Sequence, residues 1–330
     1  MRWCPILACL LVSCASNPNH PPPLDTIGGQ PQPYGGKYVP DSGAPQGDGG
    51  APTVLATGLS SPRGIAASGA FVYVTVRTGV LAIPKAGGVP QGFITTSDPP
   101  NAIVASATTA CFTTDGGNVY CASLQGGSIA TLALGVVGVS SIALANDIAY
   151  WPSAQGGASI ERCGVGGAGR SVIASATGPF TPNGIAVSGS ALYFTTSGAG
   201  ANVYAVPTTG GVAEGLVPPV TAAWVDTVPD GPRVLVGHQA EGASDIFAIS
   251  IKGGVPTAIA QGLPSIGHLA RDSGHVYWTS PSDGSIYGMS LPSGGPVVIA
   301  SGLSSPHAIA VDDAIYVTTT DGIVRASRLQ

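Results

Sequence analysis

Two side chains capable of polar recognition occupy the same place in a repeated phrase, Ser60-Ser61-Pro62-Arg63-Gly64 and Ser304-Ser305-Pro306-His307-Ala308. In further copies the variable position after proline holds Asn101 and Asn183, and Ser140 and Ala222 take it in the third and fifth. The spacing slips by one residue in the sixth copy, which leaves His268 either in the set or out of it. Arginine offers a fixed fork of donors, and histidine a donor or acceptor whose charge changes near neutral pH. Arg63, Asn101, Asn183, His307 and His268 are therefore the candidate ligand-binding residues, suited to an anionic or carbonyl-bearing group. The plainer alternative is that they only close an entrance and hydrate its waters. Were the site catalytic, His307 would be its proton-transfer group. Catalysis also needs a partner that orients the ring, and the sequence identifies none, so binding without turnover is expected.

Other reactive residue types are sparse. Asp226 and Arg271 interrupt an otherwise apolar column in adjacent repeats, and an ion pair between them is expected, because buried charges are commonly kept in pairs. Cys111 and Cys121 flank a turn centred on Gly116, which sets them directly opposite each other. They could be bridged or remain two buried thiols. Cys163 has no partner by the same count. Asp115, Asp283 and Asp321 each precede glycine between strand-like segments and read as turn formers rather than metal ligands. No phosphate-binding glycine loop, nucleophile elbow, zinc spacing or paired carboxylates occur, so neither a metal nor a cofactor is expected.

These residues need a scaffold, and the chain advertises one by repetition. Gly-Gly pairs recur at Gly49, Gly87, Gly126, Gly166, Gly210, Gly253 and Gly294, at intervals of 38 to 44 residues. Each unit reads as four short strands, the second carrying an aromatic column at Tyr73, Tyr150, Tyr193, Tyr277 and Tyr316, with Cys111 and Leu235 as exceptions. A period near 40 with four strands per unit predicts an all-β, seven-bladed β-propeller over residues 49–330. The first unit opens with a near copy of the outer strand at 296–306, while the chain stops at Gln330 before a last outer strand could form. The N-terminal strand is thus expected to close the ring. Propeller geometry then puts the variable position at the mouth of the central channel, with His307 and Arg63 as neighbours.

Charged residues make up only 9% of the chain, with 12 Lys plus Arg against 17 Asp plus Glu and no basic run, which argues against nucleic-acid binding. At the other end of the chain, Arg2 precedes an apolar run too short to span a bilayer, closing in Leu11-Val12-Ser13-Cys14. This resembles the lipobox of bacterial lipoproteins, which implies a signal peptide over 1–13, lipidation at Cys14 and a membrane anchor; an ordinary secretory signal is the alternative. Ala15 and Ser16 lack the Asp that retains many lipoproteins at the inner membrane, so an outer-membrane location is expected. Residues 14–48 are rich in Pro, Gly, Asn and Gln and read as a disordered tether, on the order of 30 Å end to end.

Pro182-Asn183-Gly184-Ile185-Ala186-Val187 and Val276-Tyr277-Trp278-Thr279 resemble NHL and YWTD propeller repeats, and the likeness extends over 49–330. YWTD propellers typically have six blades and an Asp where this chain has Thr279 or Ser280. The resemblance implies fold rather than activity, since such propellers include receptor modules, scaffolds and a few enzymes such as virginiamycin B lyases. The expected function is a membrane-anchored, non-catalytic binding or scaffold module of the cell envelope, acting as a monomer on a protein, peptide, glycan or small anionic ligand. A channel-mouth lyase or hydrolase and a purely structural envelope protein are the alternatives.

Overall fold

The computed structural model describes residues 51–154, 158–176, 180–218, 220–240 and 243–330. The expected signal peptide, Cys14 and the tether lie outside them. Among the described residues all regular structure is β, in strands of two to eleven residues, and no helix is long and apolar enough to cross a membrane. Alternating apolar and small residues favour strands buried on both faces, and tight turns such as the one at Gly117, with φ of 78°, return the chain.

The strands form seven blades. Blade 1 runs outward from the channel as Ile65–Ser68, Phe71–Val76, Gly79–Pro84 and Gln91–Thr95. Blades 2, 3 and 6 repeat this order. In blade 7 the strands Ile309–Val311, Ile315–Thr318 and Ile323–Ala326 are followed outward by Thr53–Ala56, antiparallel, with Val54 opposite Val324. Blades 4 and 5 differ from the rest: their sheets join edge to edge through the strands Ala191–Ala201 and Val220–Asp230, where Ser197 pairs with Ala223 and Gly198 with Ala222.

The core lies between blades. Ala66, Tyr73, Val80 and Ile94 of blade 1 pack against Ile103, Phe112 and Ala122 of blade 2, all buried. The whole aromatic column is buried, and Cys111 and Leu235 fill the same place without exposure. Burying an aliphatic or phenylalanine side chain such as Leu235 or Phe112 contributes about 1.5 to 3 kcal/mol of transfer free energy. Cys111 and Cys121 are joined by a disulfide between directly opposite residues, with Cα atoms 4.0 Å apart. Cys163 is a buried free thiol whose pKa burial raises, opposed by nearby Arg170.

Blade 5 departs from the expected register. Thr227 lies opposite Val236, the level held in blade 1 by Ile65 opposite Val74. Asp226 therefore stands at the level of Gly64, where the sequence pattern put Ala223, and Val225 replaces Ala222 as the variable position. The cause is a strand of eleven residues with a bulge between Trp224 and Asp226, in a repeat that lacks the Pro-x-Gly phrase. For the same reason the expected Asp226–Arg271 pair does not form. Arg271 sits deeper, where its Nη1 donates to the Pro229 carbonyl at 2.9 Å and its Nη2 meets Asp230 Oδ1 at 3.1 Å.

Candidate functional site

Arg63, Asn101, Asn183 and His307 are each fixed through the backbone carbonyl by the blade before. A buried threonine in the second strand accepts a hydrogen bond from its own inner strand and donates one to the next blade. Thr75 Oγ1 accepts from Gly64 N at 2.8 Å and donates to the Asn101 carbonyl at 2.7 Å. Thr279 Oγ1 accepts from His268 N at 3.1 Å and donates to the His307 carbonyl at 2.6 Å. Thr318 Oγ1 accepts from Ala308 N at 2.9 Å and donates to the Arg63 carbonyl at 3.0 Å. Elsewhere other polar groups make the link: Ser141 Oγ donates to the Asn183 carbonyl at 2.5 Å, Asn183 Nδ2 to the Trp224 carbonyl at 3.0 Å, and Gln239 Nε2 to the Ile266 carbonyl at 3.0 Å. The approach is close enough that a Cβ on Gly64 would stand 2.4 Å from the Asn101 oxygen, so glycine is required there.

These bonds frame a cavity of about 700 Å³ on the ring axis, lined by residues of all seven inner strands. Asn101, Asn183, His268 and His307 line it together with Ser140, Ser141 and Asp226. Arg63 does not. It borders an adjoining notch of about 360 Å³, shared with His307 and Asn101. The loops delivering Arg63 and His307 are matched in conformation as well as sequence, since Ser61 and Ser305 take left-handed φ values of 51° and 49°.

Five ionisable groups follow one another around the mouth, one per blade from the fifth to the second: Asp226, His268, His307, Arg63 and Asp115. Asp226 Oδ2 accepts from Leu269 N at 2.9 Å and faces His268 Nδ1 at 3.3 Å, while its Oδ1 accepts from Thr227 N at 2.8 Å. The His268 and His307 rings meet edge to face, with centroids 4.9 Å apart. Arg63 Nη1 donates to Asp115 Oδ1 at 2.5 Å, so Asp115 is a mouth residue as well as a turn former. His307 is the one member outside these two pairs, with no ion-pair partner among the described residues.

The two histidines are driven apart in basicity. Crowding by the wall opposes protonation of His268, but the Asp226 carboxylate outweighs it through hydrogen bonding and charge and raises the pKa above the usual histidine value. His307 opens to solvent, yet desolvation by the walls, with the charges of His268 and Arg63 beside it, pushes its pKa down to about 4. At neutral pH His307 is thus an uncharged donor–acceptor beside the Arg63 guanidinium and the more basic His268. Sequence reasoning placed His307, Arg63, Asn101 and Asn183 at this mouth. It missed Asp226 and Asp115, for which the only signals were one extra-long strand and one hairpin aspartate. The Asn183 amide also has a structural task, since its Nδ2 holds blade 5.

No family model matches the chain, and no curated protein does. Solved structures show the fold. An extracellular domain of the hybrid two-component system BT4673 from B. thetaiotaomicron superposes with a TM-score of 0.66 at 16% identity, over 85% of this chain and 40% of that one. YCF48, solved bound to D1 peptide, gives 0.65 at 13% identity over 89% and 100% of the two chains. The WD40 propeller domain of Doa1 gives 0.65 at 15% identity over 84% and 96%.

Proposed function

We propose that this chain is a non-catalytic binding module of a bacterial cell envelope, exported by its signal peptide, anchored through a lipid on Cys14 at the outer membrane, and taking its ligand at the channel mouth. The mature chain then carries its propeller, of NHL- or YWTD-like repeats closed by the strand Thr53–Ala56, on the tether of residues 14–48. Asn101, Asn183, His268 and His307 contact the ligand from the channel and Arg63 from the notch.

The observation that carries this reading is the open cavity of about 700 Å³, on which inner strands from every blade converge, six of the blade boundaries being tied by interblade hydrogen bonds. Such rigidity lowers the entropic cost of binding. A purely structural part would have no use for it. Arg63 and His268 already face carboxylates, so the mouth is no general anion trap, and His307 is left as its open polar group. The neighbours agree with this class, one being an extracellular domain and another a propeller holding a peptide. The lyase or hydrolase reading keeps one specific support, the Asp226 carboxylate that faces His268. It would move the proton-transfer role from His307 to His268, whose raised pKa suits acid–base work near neutral pH better.

Replacing both Arg63 and His307 by Ala should abolish capture of envelope components by the immobilised protein, as read by mass spectrometry, with no change in melting temperature. Capture that survives the double substitution overturns the site. In parallel, Cys14→Ala should shift the protein from the membrane to the soluble fraction; continued sedimentation would mean a different anchor.

A further inference from the structure

The charges around the mouth alternate except at one place. Asp226 is negative and His268, facing it, is positive when protonated, which that carboxylate favours; Arg63 is positive and Asp115, facing it, negative. Between the two pairs stands His307, in ring contact with His268 and sharing a notch with Arg63, without a counter-charge of its own among the described residues. An anion seated on His307 would complete a row of five alternating charges across blades 5 to 2. On the opposite side of the mouth, Ser140 Oγ and Ser141 Oγ donate to the Asn183 carbonyl and Asn183 Nδ2 to the Trp224 carbonyl, and the described residues there include no cationic side chain.

Below this polar ring the wall turns apolar, formed by Val104, Leu144, Val187 and Val228, each partly exposed to the channel. A ligand that fits both levels carries its charge at one end and a hydrocarbon body behind it. Resting on the channel-mouth reading above, we propose that the ligand is a monocarboxylate with an apolar body: the carboxylate sits on His307 between His268 and Arg63, the body enters the shaft, and binding draws a proton onto His307.

The proton uptake follows from the charges that face His307. His268 and Arg63 disfavour its protonation in the free protein, with Asp226 and Asp115 one position further away; a carboxylate laid against the ring reverses the balance. Bound and free states then differ in proton affinity, so affinity must depend on pH. It rises as pH falls from 8 toward 5.5, because both His307 and His268 gain charge while a carboxylic acid of ordinary pKa stays ionised.

Isothermal titration of the full chain with N-acetyl-L-phenylalanine, N-acetyl-L-phenylalaninamide and octanoate tests the assignment and separates a peptide-like acid from a simple fatty acid. We expect at least one acid to bind tenfold or more tightly than the amide at pH 5.5. That preference should shrink severalfold at pH 8, and paired buffers of different ionisation enthalpy should reveal net proton uptake. His307→Asn should remove the uptake, and Arg63→Gln should weaken acid binding tenfold with the melting temperature unchanged. An amide that binds as well as the acids would overturn the carboxylate assignment and leave the channel reading intact. Failure of both acids to bind, while the Arg63/His307 double substitution still abolishes envelope capture, would do the same.

Discussion

At the scale of single residues, the site rests on the opposite treatment of two histidines whose rings are 4.9 Å apart. His268 faces a carboxylate and holds its proton above the ordinary value, and His307 faces cations and gives its proton up at about pH 4. Titration followed by NMR of the imidazole protons should show two separate midpoints on either side of 6.5, and Asp226→Asn should bring the His268 midpoint down. A single shared midpoint near 6.5 would contradict the arrangement. The stability signs are also opposite. For His307 the unfolded chain takes up the proton first, so its contribution grows as pH rises from about 4 to 6.5. For His268 the contribution is complete below 6.5 and is lost as pH rises through its raised folded value. The identity of His307 and Arg63 as mouth residues was legible, because both follow proline in near-identical phrases. Their partners were not: Asp226 and Asp115 act across blade boundaries, and nothing local in sequence reports which side chain the next blade brings near.

At the scale of strands, the second strand of each blade serves the site as much as the core does. In blades 1, 6 and 7 its aromatic residue fills the space between blades, and two positions later a threonine spans the boundary, as in Tyr316 and Thr318. Thr318→Val keeps the shape of the side chain but leaves the Ala308 N–H without its hydroxyl acceptor and the Arg63 carbonyl without its donor, at the seam of blades 7 and 1. A loss of about 2 kcal/mol is expected for such buried polar groups, together with weaker ligand capture through a loosened Arg63. The midpoint of urea unfolding measures it, and an unchanged midpoint would show that these bonds do not hold the mouth. The threonines were visible in sequence as a departure from the aspartate of YWTD repeats, but their bridging role depends on the distance between sheets, which no strand encodes alone. Blade 5 marks the limit of the repeat pattern. Its bulge and long first strand shift the register by three residues, so a period carried over from its neighbours put Asp226 too deep and paired it with Arg271 instead of His268.

At the scale of the whole molecule, seven blades with a joined pair at 4 and 5 and a composite blade 7 were foreseeable in number but not in their joining. The repeat fixes how many sheets form; the edge-to-edge contact of Ser197 with Ala223 depends on strands that overrun their blades. Deleting residues 49–59 removes the strand Thr53–Ala56 and with it Leu55, which packs into the cluster of Ile65, Val72 and Tyr316. The melting temperature of the entire ring should fall by several degrees or more, because each blade relies on its neighbours. A melting temperature equal to that of the intact chain would mean that the other three strands of blade 7 suffice.

The pairing of Val54 with Val324 also has a consequence in time. A ribosome makes Thr53–Ala56 before every other described strand and its partner Ile323–Ala326 after them, so the earliest described strand waits unpaired while the rest of the ring is made. Contacts so far apart in sequence make folding slow and leave an exposed edge open to wrong partners meanwhile. The molecule is therefore a clasp that cannot snap until the strand Ile323–Ala326 has been made.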